Sequence, residues 1–554
     1  MSVLGHRCVD ETDHVVFVGD IAVHVAHVFA EFVRDFSAEF VLNISNDNLG
    51  TIFGEKVNGA FFDSTCAAGD NCHFAVQPLK WKRISKILRL AKWLPVENLD
   101  RYQFCMMIQF SSFPVFFSVV FVLTLIVKHW KKSHVQKLPP GPMKLPLIGN
   151  LHQLVTGSSL PHVALERLAG KYGPIMHLQL GEGSAIVISS PEAAEEVLKK
   201  HELVFAQRPN FFANDVAGYG NLGLFFAPNG SFWRQIRKIC TVELLGAGQV
   251  RLFKSLREEE VRNLTESIAS TAGSSINLTE KILQTTNSIV SRAAFGKKCR
   301  DADDFLAILN EGNELASGFD MPDLFPSLKF VPFVSRMKPT LENLKRRMDN
   351  DIFAAGTETT ATTIEWAMAE ILKNPAVLEK AQAEVRRVLK GKKNISEEDI
   401  HELHYLKLIV KETLRLHPPG ALMPRESKEA CEVNGYDVPA KTKAIINLWA
   451  IGRNPKHWDD PNCFKPERFH HSSISYIGTN FEYLPFGAGR RMCPGISFGV
   501  ATIELQLALL LYHFDWKLSD GIKPEELDMT EAFGFTVKKK HVLSVVAIPA
   551  SISL

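Results

Sequence analysis

The stretch Pro485-Phe486-Gly487-Ala488-Gly489-Arg490-Arg491-Met492-Cys493-Pro494-Gly495 constrains this chain more than any other. A single cysteine sits in a glycine-rich loop, behind two arginines and a phenylalanine. An apolar helix-forming run follows at once, through Ile496, Phe498, Val500, Ala501, Ile503, Leu505, Leu507 and Leu509. The glycines permit backbone angles and close approaches that a Cβ would forbid. The helix after Cys493 turns its positive end to the sulfur, which favours thiolate over thiol. If that sulfur binds haem iron, each residue type has a physical role. Phe486 covers the sulfur from water and Arg491 neutralises a propionate. A thiolate ligand pushes electron density onto iron and favours O–O cleavage. A free cysteine in a turn would account for the sulfur alone. It leaves Phe486, Gly489, Arg491, Cys493 and Gly495 unexplained as one F-x-x-G-x-R-x-C-x-G pattern.

The segment resembles the haem-binding loop of the cytochrome P-450 family, in the form typical of plant members. The resemblance covers about 108–554 and implies a mainly α (α+β) fold with an N-terminal membrane anchor. It also implies haem b with Cys493 as the axial thiolate, and Arg491, Phe486, Gly489 and Gly495 around it. Three further runs fit the family. Lys411-Glu412-Thr413-Leu414-Arg415 carries an E-x-x-R pair on one helix face. With Pro466-Glu467-Arg468-Phe469 it implies a buried network of Glu412, Arg415 and Arg468 behind the haem, acceptable only if every member is satisfied. Ala355-Gly356-Thr357-Glu358-Thr359-Thr360 matches the oxygen-activation pattern. Gly356, Thr359, Thr360 and Thr363 share a face, and a glycine followed by a threonine hydroxyl could create a notch for dioxygen and water. By resemblance Thr359 relays protons to the oxygen being activated and Glu358 links that relay to solvent. Trp233 and Arg237, in a W-x-x-x-R run, fall at the propionates, where an indole N–H and a guanidinium suit a carboxylate. Arg425 is a further propionate candidate.

Composition agrees with a globular body: 46% of residues are hydrophobic and 22% charged. The net charge of +2 predicts no nucleic-acid partner. Nine cysteines are scattered without C-x-x-C, pointing to a reducing compartment. Residues 106–137 read as a membrane anchor with a basic flank. Phe110 to Val127 lacks any charge, and Lys128, Lys131, Lys132 and Lys137 follow. The positive-inside rule then places the next domain on the cytosolic side, at the endoplasmic reticulum by resemblance. Residues 138–150 form a Pro-rich hinge, and 151–554 the haem-thiolate monooxygenase domain. Residues 1–105 resemble nothing familiar and read as sequence from outside the true reading frame. Their basic run Lys80–Leu94 would form a membrane-surface helix. Ala185–Ile188 reads as a buried strand and Pro191–His201 as a short helix.

One spacing departs from the family. Thr359 to Glu412 is 53 residues and Glu412 to Cys493 is 81, as expected. Trp233 to Thr359 is 126, where the family runs to roughly 180. The break falls near Asp349–Asp351, so a segment before the oxygen-binding helix is missing, and Thr340–Lys373 could run as one long helix. The reading is a haem-thiolate monooxygenase that takes O2, a small lipophilic terpenoid-like substrate, and electrons from an NADPH-cytochrome P-450 reductase. Apolar contacts are expected from 211–226, 352–359, 420–423 and 532–536. A same-fold isomerase or dehydratase is the first alternative, disfavoured by the Glu358–Thr359 pair. A catalytically impaired or non-catalytic product of the shortened chain is the second.

Overall fold

The structure, a computed structural model, describes residues 137–155, 160–212, 215, 222–298, 313, 321–328, 351–392 and 395–551. All lie within the unit His134–Leu554. The expected anchor, the 1–105 extension and the 340–350 part of the long helix fall outside the described residues.

Seven helices named here carry the body: α1 (Pro161–Tyr172), α2 (Ser231–Ile239), α3 (Lys254–Ala269), α4 (Leu278–Phe295), α5 (Asp351–Lys373), α6 (Pro375–Leu389) and α7 (His404–Leu416). An eighth, α8 (Ile496–His513), follows the cysteine loop. Local chemistry sets their ends. Asn277 caps α4 by accepting from the Glu280 N–H, and Gly296 closes it in the left-handed conformation. Pro375 opens α6. On α7, Leu406, Ile409, Val410, Thr413, Leu414 and Leu416 are buried at helical spacing. Helix α8 is apolar on nearly every side, because α3, α5, α6 and α7 all pack on it. It is long and apolar enough to cross a membrane, yet it is the central core helix here, with 67% of its most apolar window buried.

The sheet beside the helices has four strands: β1 (Ile175–Leu180), β2 (Gly183–Ile188), β3 (Leu422–Glu426) and β4 (Lys443–Asn447). Their spatial order is β1-β2-β4-β3. Strand β2 runs parallel to β4, with Val187 facing Ile445, and β3 is antiparallel to β4. The expected strand Ala185–Ile188 is the inner part of β2. The 191–201 segment is α-helical only to Glu195 and continues as a wider π-type turn over Glu196–Lys200.

The Pro-rich hinge lies along the sheet edge. The Pro140 carbonyl accepts from the His177 N–H at 2.9 Å, and Asn150 Nδ2 donates to the carbonyls of Pro142 and Met143, both at 3.2 Å. A Cβ on Gly141 would fall 2.1 Å from the His177 carbonyl oxygen, a backbone collision that no side-chain movement relieves. Gly141→Ala is therefore expected to destabilise the domain by about 2 kcal/mol. The shift in the urea unfolding midpoint measures this.

Candidate active site

The cysteine loop is shaped by its own backbone. Gly487 and Gly489 have φ of +72° and +64°, and the Cys493 N–H donates to the Phe486 carbonyl at 3.0 Å. A Cβ on Gly489 would lie 2.9 Å from the Leu198 carbonyl oxygen, so glycine is required there. Gly495 differs from expectation. Its φ is −93°, and an added Cβ would meet only the Cys493 sulfur at 3.9 Å, an ordinary contact. Phe486 is half-buried and packs edge-on against Tyr476.

Cys493 stands three residues before the start of α8, as its sequence position predicted. Cys493 is exposed at the surface, yet the protein packed around it penalises the charged form of the sulfur. Burial raises the thiol pKa, and a hydrogen bond from the Gly495 N–H and the charge of Arg237 only partly oppose this. The helix start alone therefore does not make a thiolate. A bound metal ion does, because coordination displaces the proton.

Four arginines from separate elements gather around this loop: Arg208, Arg237 on α2, Arg425 on β3 and Arg491. Among the described residues no carboxylate pairs with any of them. Arg491 Nε donates to the Ala206 carbonyl at 2.8 Å, a second donor goes to Ala227, and Nη1 is buried without a partner. Arg425 Nη2 is likewise buried and unpartnered. Burial, then mutual repulsion, lowers their pKa values: Arg425 to about 9, Arg491 to about 10, and Arg208 well below its ordinary value. Buried cations without anions are costly, and unused N–H forks are the donors that carboxylates accept bidentately. Trp233 departs from expectation. Its indole N–H donates to the Leu224 carbonyl at 2.9 Å, and its ring instead lies 4.0 Å beneath the Arg491 guanidinium. Arg237 reaches the Met492 carbonyl, beside the cysteine. The sequence reading missed Arg208, whose signal is only an Arg-Pro pair. The bridge between Gln207 and Glu426 places it next to β3.

Glu412 and Arg415 on α7 meet Arg468. Arg415 Nε and Nη2 grip the two Glu412 oxygens, each at 2.8 Å, and Arg468 Nε donates to Glu412 Oε1 at 2.9 Å. The remaining donors reach the carbonyls of Gly452, Pro461, Cys463, Asp459 and Asp460. The Lys465 N–H also donates to Glu412, so every member is satisfied.

Helix α5 packs on α8, and Thr360 Oγ1 lies 3.7 Å from where a Cβ on Gly499 would stand. A Cβ added to Gly356 would meet Val290 on α4 at an ordinary contact distance of 3.5 Å. The Thr359 hydroxyl donates to the Ala355 carbonyl at 2.6 Å, and Thr363 donates to the Thr359 carbonyl at 2.8 Å. Glu358 Oε1 is buried without a partner, and burial raises this carboxyl to about 7 against the charge of Lys538. A second buried network was not legible in the sequence. Glu531 takes His162 at 2.7 Å and the Trp449 indole N–H at 3.1 Å, while His417 contacts Glu370 at 2.8 Å and stacks on Trp366.

A cysteine sulfur beside a nest of unneutralised guanidiniums fits a haem-thiolate protein, in which the sulfur would take the iron and Arg208, Arg425 and Arg491 would take the propionates. The sequence profile of Cytochrome P450 matches residues 139–343 and 333–544. The chain belongs to the cytochrome P450 family, monooxygenases that bind haem through a cysteine thiolate. It is 48% identical over 494 residues to desmethyl-deoxy-podophyllotoxin synthase of Sinopodophyllum hexandrum, covering 79% of this chain and 97% of that protein. Identity to the melianol synthase of Azadirachta indica is 47% over 492 residues, covering 79% and 97%. For premnaspirodiene oxygenase of Hyoscyamus muticus it is 45% over 497 residues, covering 79% and 98%.

Glu412→Ala leaves the Arg415 guanidinium buried without its carboxylate. The variant is expected to lose about 3–5 kcal/mol, read as a lower urea midpoint together with reduced haem content.

Proposed function

We propose that this chain hydroxylates a small apolar plant metabolite, terpenoid-like, using O2 and electrons delivered by an NADPH-cytochrome P450 reductase. It acts at the endoplasmic reticulum membrane, with the catalytic domain facing the cytosol. The observation that carries the reading is the set of buried guanidiniums gathered without a carboxylate at the Cys493 loop. Bound there, haem supplies the oxygen-activating chemistry. Cys493 holds the iron; Arg208, Arg425 and Arg491 hold the propionates, and Arg237 braces the loop beside the sulfur. Trp233 keeps the Arg491 guanidinium flat. Glu412, Arg415 and Arg468 fix the loop from behind.

Inserting one atom of O2 into an apolar C–H bond consumes two electrons and two protons, and the other atom leaves as water. Glu358 suits the supply of those protons, since a carboxyl near 7 exchanges them with little driving force either way. Thr359 hands them on, and Gly356 keeps the helix slender at that turn. An apolar aromatic cluster supports the substrate class: Phe225 lies 4.6 Å from Phe226 and 5.0 Å from Phe535. The names of the relatives, among them melianol synthase and premnaspirodiene oxygenase, support the same class.

The proposal includes a missing segment before α5. The profile matches in two pieces, 139–343 and 333–544. The alignment of 494 residues occupies 79% of this 554-residue chain, about 438 residues, so some 56 aligned positions of the relative have no counterpart here. An impaired enzyme is the reading that such a gap would favour. Substrate-dependent NADPH consumption with added reductase, over a panel of sesquiterpene and triterpene hydrocarbons, tests the function. Hydroxylated product supports it; consumption without product on any member contradicts it.

Because the Glu358 carboxyl titrates at about 7, turnover is expected to fall as pH rises through that value and the proton-loaded form is depleted. Glu358→Gln is expected to lower turnover by roughly 10- to 100-fold and to flatten this part of the pH profile.

A further inference from the structure

The turn that follows Glu531 and Ala532 carries two phenylalanines and is clasped by one distant residue. The Phe535 N–H donates to the Asn313 carbonyl at 2.9 Å, and the Thr536 N–H donates to Asn313 Oδ1 at 2.6 Å. Asn313 Nδ2 then donates to the Thr536 carbonyl at 3.1 Å. One residue thus satisfies three backbone groups of two consecutive residues, as a paired strand would. Asn313 and Thr536 are 4% and 1% exposed, so water does not substitute for these bonds. The side chain must offer a donor and an acceptor on the same fork, which asparagine does and aspartate does not.

Gly534 belongs to the same arrangement. A Cβ there would lie 2.4 Å from Asn313 Nδ2 and 2.8 Å from its Cγ, so the clasp closes only over glycine. The next residue is fixed by other partners: the Val537 N–H donates to Pro419 at 2.8 Å, and its carbonyl accepts from the Trp366 indole at 3.3 Å. Between these restraints the Phe535 ring stands edge-on to Phe225 at 5.0 Å and 5.8 Å from Phe226. Among the described residues it is Asn313 that fixes the backbone polar groups of 535–536, so the place of that ring depends on it.

We infer that Asn313 is a specificity-determining positioning residue: it clasps the 534–536 turn and so holds Phe535 as a rigid wall that limits the size of the apolar molecule admitted. This rests on the reading above that residues 532–536 line the substrate pocket.

The test uses the full-length, haem-loaded protein and the variants Asn313→Ala, Asn313→Asp, Gly534→Ala and Phe535→Ala. Hydrogen exchange at the Thr536 amide, whose acceptor is the Asn313 side chain, is expected to quicken by about tenfold or more in Asn313→Ala and Gly534→Ala, while the Phe535 amide, held by the backbone carbonyl of residue 313, quickens only in Gly534→Ala and Val537 is unchanged. Asn313→Asp, which sets a second acceptor against the Thr536 carbonyl in a buried place, should quicken exchange at least as much as Asn313→Ala. Dissociation constants for 4-phenylimidazole and the bulkier bifonazole, read from the Soret shift, give the second readout. The preference for the smaller ligand is expected to fall about fivefold or more in Asn313→Ala, Gly534→Ala and Phe535→Ala, and no further when Asn313→Ala and Phe535→Ala are combined. Unchanged exchange in Asn313→Ala would overturn the clasp. A preference altered by Phe535→Ala but not by Asn313→Ala would overturn the role of Asn313 and leave the pocket reading standing. A preference altered by none of them would overturn both. Gly534→Ala, which leaves Asn313 in place, decides the matter if the Asn313 variants fail to fold.

Discussion

The cluster beside Cys493 rests on one electrostatic fact: three buried guanidiniums and a half-buried one have no carboxylate partner among the described residues. Arg208, Arg237, Arg425 and Arg491 arrive from four places in the chain, and the main cause of every lowered pKa is burial. A protein does not bury guanidiniums for stability alone, because the desolvation cost exceeds what carbonyl contacts return. The arrangement makes sense as a site completed by an anionic group with two carboxylates. Strand order serves it: pairing β3 to β4 fixes Arg425, and the 207–426 bridge ties Arg208 to the same edge.

The network of Glu412, Arg415 and Arg468 is the opposite case. Its charges are also buried, yet each donor and acceptor has a partner within the protein. It asks for no ligand and ties α7 to the 452–468 segment. The contrast between a satisfied network behind the sulfur and an unsatisfied one beside it separates scaffold from binding site. On the other side, α5 offers Glu358, whose raised pKa comes from burial and not from a charged neighbour. That places a buried carboxyl of raised pKa on the helix packed against α8.

Much of this was legible in the sequence because the motifs are local. The cysteine loop, the Glu412–Arg415 pair and the α5 threonines each occupy one short run, and spacing fixes their faces. What the sequence could not supply involves partners far apart in the chain. Arg208 looked like any arginine before proline, Trp233 offered an N–H whose partner depends on the fold of Leu224, and Asn313 meets Thr536 across 223 residues. The thiol of Cys493 shows the same limit: a helix start argues for thiolate, but only packing reveals the burial that raises the thiol pKa. Gly495 fits a pattern for which this fold shows no steric need.

The most direct measurement is the carbon monoxide difference spectrum of the reduced, detergent-solubilised protein. A strongly red-shifted Soret band, the signature of thiolate ligation, is the predicted result. It would show haem held through Cys493, with room for a ligand on the α5 side. No haem absorbance, or only the blue-shifted band of a haem without its thiolate, would contradict the account.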